Sequence, residues 1–148
     1  MILPLKEKFH LKSFRLGQME IIDSVNSGQD VLAVMPTGGG KSLCYQLPAY
    51  TKAGITIVIS PLIALMNDQV NSLQRLGLPA GSIHSGLSVV ERRTVFENMK
   101  TAIENKTGYI LYLSPERLQK QGFIDWVKNQ PIDLFAVDEA HCLSLIHI

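Results

Sequence analysis

Four short runs in this chain are apolar nearly from end to end: residues 31–35 (Val-Leu-Ala-Val-Met), Ile55–Ile59, Tyr109–Leu113 and residues 134–137 (Leu-Phe-Ala-Val). A strand with one wet face alternates apolar and polar residues, whereas a strand covered on both faces has no reason to. Between the runs lie segments with helical spacing. Met19, Ile22 and Val25, with Ile21 beside them, predict a helix from about Gly17 that stops at Gly28. A second helix is expected from Lys41 or Ser42 to about Tyr50. A third runs to Leu76 and stops at Gly77, with Ser60 as its cap and Pro61 in its first position. Ser88 and Glu91 match a capping box that opens a helix to about Glu104. Residues 80–84 form a weaker strand, Ser114-Pro115-Glu116 a capped turn, and residues 123–128 a short helix. Residues up to about Phe14 are expected to be irregular. Strands alternating with helices imply an α/β, doubly wound parallel sheet.

Composition narrows the classes. A chain of 148 residues with 46% hydrophobic and 18% charged residues suits one folded domain and argues against disorder. The net charge of +1, from 14 basic and 13 acidic residues, provides no basic face, so a nucleic-acid contact has to come from local loops. Cys44 and Cys142 match neither a disulfide framework nor a metal-site spacing, and a reducing, intracellular setting is the default expectation. The apolar start of the chain is too short for a signal peptide. The longest apolar stretch, residues 55–66, is interrupted by Thr56, Ser60 and Pro61 and is too short to span a bilayer.

In a parallel α/β sheet, ligands bind at the carboxyl ends of the strands. Four chemically interesting segments are expected along that rim. Thr37-Gly38-Gly39-Gly40-Lys41-Ser42 falls between a strand and a helix. Glycines let backbone N–H groups turn towards a phosphate, and the following helix adds partial positive charge at the same spot. Lys41 is suited to the β- and γ-phosphates and the Ser42 hydroxyl to Mg²⁺. The general phosphate-loop pattern wants glycine where Met35 stands, so context must carry the assignment. That context is Asp138-Glu139-Ala140-His141 after an apolar run: an aspartate there can hold Mg²⁺ and the glutamate can activate water. Alone, the same four residues fit a solvated loop tip equally well. His141 matches no His-Glu-x-x-His zinc spacing. Ser60-Pro61 and Ser114-Pro115 complete the rim. Cys44 and Tyr45, on the helix behind the loop, are assigned no catalytic role, and Cys44 is expected to pack in the core.

Residues 35–49, from Met35 through Lys41 and Ser42 to Ala49, closely resemble the RecQ family of superfamily 2 DNA helicases, methionine included. Residues 60–70 are similar to that family's motif Ia, 114–118 to a further DNA-side motif, and 137–144 to motif II; the likeness runs from about Phe9 to Ser144. The resemblance implies a P-loop NTPase (RecA-like) fold truncated after the motif II strand. Residues 1–144 would be an incomplete first RecA-like, ATP-binding helicase domain, and residues 145–148 an aberrant tail. It implies ATP and Mg²⁺ as cofactors and 3′-to-5′ DNA unwinding, in DNA repair and recombination. It also implies a cytoplasmic location (with the nucleoid in a bacterium) or a nuclear one in a eukaryote. Lys41, Asp138 and Glu139 would be catalytic, and Ser42 and Asp138 would hold the metal. Thr37, Gly38, Gly39 and Gly40 would bind the phosphates, and Gln18, assisted by Arg15, would read adenine. By itself Gln18 reads as a surface residue at a helix start. Leu11 stands where some members stack a tyrosine on the base. DNA would lie against Ser60-Pro61 and the segment from Ser114 to Arg117, although Arg117 fits a plain surface charge as well. Leu62, Leu65, Met66, Val70 and Leu73 read as a helix core face.

The family's next strand, which follows Asp138 in the chain, lies between the strand of the glycine loop and that of Asp138. A gap in the sheet is therefore expected at that place. The second motor lobe with its arginine finger, worth about 10³–10⁵ in rate in related systems, and the zinc-binding and winged-helix parts lie outside this chain. The 148 residues are thus expected to bind nucleotide weakly at best. An RNA helicase or other motor of the same superfamily, and a nucleotide-binding module without turnover, are the alternative functions.

Overall fold

A computed structural model describes residues 2–36 and 40–139. Thr37, Gly38 and Gly39 of the expected phosphate loop, and Ala140 onward with His141, Cys142 and the 145–148 tail, lie outside the described residues.

The chain runs α1 (Ile2–Phe9), α2 (Gln18–Asn26), α3 (Leu43–Thr51), β1 (Ile55–Ile59), α4 (Ile63–Arg75), β2 (Ala80–Ile83), α5 (Val89–Glu104), β3 (Tyr109–Leu113), a 3₁₀ turn (Pro115–Gln119), α6 (Phe123–Lys128) and β4 (Ile132–Val137). The strands form one sheet in the order β2-β3-β1-β4, every pair parallel. Each crossover carries a helix, as parallel neighbours require.

Period two governs even the fully buried strands. Val58, Ile110 and Tyr112 face one core with Leu5, Ile22, Leu47, Met66 and Leu73 from α1–α4. Ile55, Ile57, Ile59, Tyr109, Leu111 and Leu113 face a second core with Met99 and Ala102 of α5 and Trp126 of α6. Helices thus cover both faces, which is the doubly wound arrangement. The capping box of α5 forms as expected: Ser88 Oγ accepts from the Glu91 amide at 3.1 Å, and Glu91 Oε2 accepts from the Ser88 amide at 2.8 Å.

The structure corrects several expectations. The first residues are not irregular: Leu5 and Phe9, one helical turn apart, are buried and anchor α1. Helix α4 opens at Ile63 rather than next to Pro61, with Leu62 extended, exposed and outside the core face that Met66, Val70 and Leu73 do form. The largest departure is at residues 31–35. They form no strand, and Leu32 and Val34 are 87% and 91% exposed. β4 is likewise not buried on both faces; its residues alternate between half-buried and exposed, because among the described residues β1 is its only neighbour. An apolar run becomes a buried strand only if another ladder and a second layer meet it. Here a cleft of about 620 Å³, lined by residues 31–35 on one side and 134–139 on the other, occupies that place. The gap expected inside the sheet is not formed as such, because residues 31–35 are not a strand and β4 stands at the edge of the described sheet.

Candidate functional site

Parallel strands bring the ends of β1, β3 and β4 to one rim. Asp138 follows β4 directly, and its amide donates to the Ile59 carbonyl at 2.9 Å, continuing the ladder one residue past the strand. Ser60, just beyond β1, is therefore beside Asp138. The entrance to α3 closes the same corner. Lys41 Nζ lies 3.4 Å from Glu139 Oε1, an ion pair between residues 98 positions apart. Tyr45, in the first turn of α3, donates from its hydroxyl to Asp138 Oδ2 at 3.3 Å. Asp138 Oδ1 accepts from the Glu139 amide at 2.9 Å. Glu139 has φ 54°, a left-handed conformation costly for a residue with a side chain. Strain of this kind recurs where a chain must aim a functional group.

Gly40 also has positive φ (78°), and a Cβ there would collide with Gln18 Nε2. Gln18 is buried, not at the surface. Its Nε2 donates to the Gly40 carbonyl at 3.0 Å, and its Oε1 accepts from the Arg15 amide at 2.7 Å. The side chain thus braces the end of the glycine loop against the turn before α2. Leu11 is exposed. Cys44 is buried, as expected, with its thiol 3.9 Å from Met35 Sδ, and burial pushes its pKa up.

The acidic pair, Lys41 and Tyr45 line the carboxyl-end mouth of the 620 Å³ cleft. Its oxygen donors are hard ligands of the kind Mg²⁺ prefers. Among the described residues no cluster of three or more His, Cys, Asp or Glu could form a cage. The Asp138 and Glu139 carboxylates are the kind of ligand that, one or two at a time, holds Mg²⁺ together with substrate phosphates. The residues present therefore suit the ion.

Further along the rim, Ser60 Oγ and Ser114 Oγ are buried without a hydrogen-bond partner, as is Arg117 Nε. Burial, with Arg92 close by, lowers the Arg117 pKa. Buried polar atoms normally find partners; Thr56 Oγ1, within β1, is in the same state. Arg117 is half-buried. Sequence reasoning missed Tyr45. Its spacing from Lys41 carries no signal, because its partner lies on another element. Among the described residues no helix is long and apolar enough to cross a membrane.

Residues 15–146 match the model of the DEAD/DEAH box helicases. The chain is 46% identical over 137 residues to the probable ATP-dependent DNA helicase RecS of Bacillus subtilis, covering 92% of this chain and 26% of the relative. It is 44% identical over 140 residues to the ATP-dependent DNA helicase RecQ of Haemophilus influenzae, covering 95% and 22%. It is 43% identical over 149 aligned positions to the ATP-dependent DNA helicase hus2/rqh1 of Schizosaccharomyces pombe, covering 95% and 11%. The chain spans about a quarter or less of the length of these curated relatives.

Proposed function

We propose, because this chain belongs to the DEAD/DEAH box helicase family, that it is the nucleotide-binding part of a RecQ-type, ATP-dependent DNA helicase. The ion pair between Lys41 and Glu139 carries this reading, since it joins the glycine loop to the acidic pair in one corner. Lys41 holds the terminal phosphates of ATP together with the loop amides of residues 37–40. On binding nucleotide it exchanges Glu139 for phosphate, which frees the glutamate to accept a proton from the attacking water. Gln18 and Arg15 hold the adenine end, and the Gln18–Gly40 bond links that end to the loop. Ser42 and Asp138 would hold Mg²⁺, which supplies neutralising charge for the phosphates when bound.

DNA lies on the neighbouring strand ends. The unpartnered Ser60 and Ser114 hydroxyls and Arg117 Nε support contacts to backbone phosphates. Such contacts position a strand without reading its sequence, as a motor requires. The chain forms one domain over residues 1–144, and the protein works inside the cell where its DNA is. Unwinding with 3′-to-5′ polarity, in repair and recombination, belongs to the whole protein with its second lobe.

Titration of a fluorescent ATP analogue, with phosphate release followed in parallel, tests the site. Binding that Lys41→Ala abolishes is expected. An affinity unchanged by Lys41→Ala would remove the nucleotide reading, and stimulation by single-stranded RNA but not DNA in the whole protein would favour an RNA motor.

A further inference from the structure

A line of hydrogen-bonded side chains leads from Asp138 into the protein. Tyr45 Oη is 3.3 Å from Asp138 Oδ2, Tyr112 Oη is 3.4 Å from Tyr45 Oη, and Gln46 Nε2 is 3.1 Å from Tyr112 Oη. Gln46 Nε2 also lies 2.7 Å from Gln69 Oε1 on α4. The carboxylate end sets the direction of the line, and the Gln46 amide as placed agrees with it. An ionised carboxylate only accepts, so the Tyr45 hydroxyl must donate to Asp138. Its one proton used, it accepts from Tyr112, and Tyr112 in turn accepts from Gln46. The second amide hydrogen of Gln46 goes to Gln69. Donors on α3 and β3 thus line up towards a single carboxylate, and Gln69 on α4 anchors the far end of the line.

Tyr45, Gln46 and Tyr112 are buried, and the two bonds that join them lie in the interior, while the Tyr45–Asp138 bond opens on the cleft. Burial, with Tyr112 and Asp138 nearby, pushes the Tyr45 phenol far above its ordinary range, and burial raises that of Tyr112 as well. The Tyr45 and Tyr112 rings meet edge to face with centroids 6.3 Å apart, which holds the hydroxyls in place. At Asp138 itself, Oδ1 is held by the Glu139 amide and Oδ2 by Tyr45, from two directions. The oxygen–oxygen separations are stretched beyond the usual 2.7–2.8 Å or so; connectivity, rather than length, sets the polarity.

We propose that Tyr45 is a positioning residue for Asp138: its hydroxyl fixes the carboxylate before nucleotide arrives, so that Asp138 receives Mg²⁺ in one rotamer. It rests on the reading of Asp138 as a metal-holding carboxylate. Partners that orient a metal ligand from behind are worth about 10–100-fold in metal affinity, and the stretched bond places Tyr45 at the lower end.

The test uses the whole 148-residue chain, a fluorescent ATP analogue, and Mg²⁺ varied from chelated to saturating. Tyr45→Phe keeps the ring and removes the donor. It should raise the Mg²⁺ concentration needed for tight analogue binding about tenfold and leave the metal-free affinity unchanged. Tyr112→Phe, which removes the donor behind Tyr45, should shift the Mg²⁺ requirement the same way by less. Asp138→Asn separates the two levels. If it raises the Mg²⁺ requirement and Tyr45→Phe does not, or if Tyr45→Phe weakens binding equally with and without metal, the positioning role is wrong. If Asp138→Asn leaves the Mg²⁺ requirement unchanged, the metal assignment itself falls and the role of Tyr45 with it.

Discussion

Gly40→Ala probes the joint between Gln18 and the glycine loop, and the structure fixes what it should cost. Gly40 has φ 78°, where an L side chain loses about 1–2 kcal/mol. Alanine recovers about 0.5–1 kcal/mol by restricting the unfolded chain, which leaves about 1 kcal/mol net. The new Cβ also collides with Gln18 Nε2. Gln18 must then leave, and its bond to the Gly40 carbonyl goes with it, at a further cost of about 1 kcal/mol. Gly28 supplies the internal reference. It has φ 81°, and a Cβ added there would meet nothing within 4 Å, so Gly28→Ala carries the conformational cost alone. The expected losses are about 1 kcal/mol for Gly28→Ala and about 2 kcal/mol for Gly40→Ala. Thermal midpoints should fall by about 4 °C per kcal/mol at this chain length. Urea denaturation of Gly40→Ala, Gln18→Ala and the double variant should give a coupling of about 1 kcal/mol, since alanine at position 18 removes the obstacle. Equal losses for the two glycines, with strict additivity at positions 18 and 40, would show that Gln18 does not brace the loop.

All four tyrosines of the chain, Tyr45, Tyr50, Tyr109 and Tyr112, are buried with pKa values raised above the usual 10 or so, desolvation being the largest cause in each. Their stabilising effect is complete below about pH 10 and is lost as pH rises past the unfolded value, because only the unfolded chain then releases the protons. Alkaline titration at 295 nm should therefore show tyrosinate appearing together with loss of helical circular dichroism; gradual ionisation of a folded chain would contradict the burial. Ser88→Ala removes the reciprocal cap of α5 and should cost about 1 kcal/mol, read as a fall of about 4 °C in midpoint; no change would mean that the helix end is held by packing alone. Leu47→Ala empties a fully buried position in the α3 face of the core and should cost about 2–5 kcal/mol in urea denaturation; a loss below 1 kcal/mol or so would mean that the core collapses around the cavity.

Local chemistry wrote much of this protein into its sequence. Residues 55–59 and 109–113 are strands because their side chains are apolar on both alternating faces, and helices supply two cores to receive them. The capping box at Ser88 and Glu91 was equally legible, since both partners lie within one turn. The glycine loop and the acidic pair were readable as types of chemistry. Their common rim followed from the parallel sheet, but the 3.4 Å contact between Lys41 and Glu139 did not, because it depends on strand order and crossover direction. Residues 31–35 show the opposite failure: a strand-like pattern stays exposed when no neighbouring ladder meets it, for burial belongs to the assembly and not to the segment. Tyr45 shows the same dependence in a single side chain. Its sequence neighbours mark it as core, and only the placement of α3 against the end of β4 turns its hydroxyl towards Asp138.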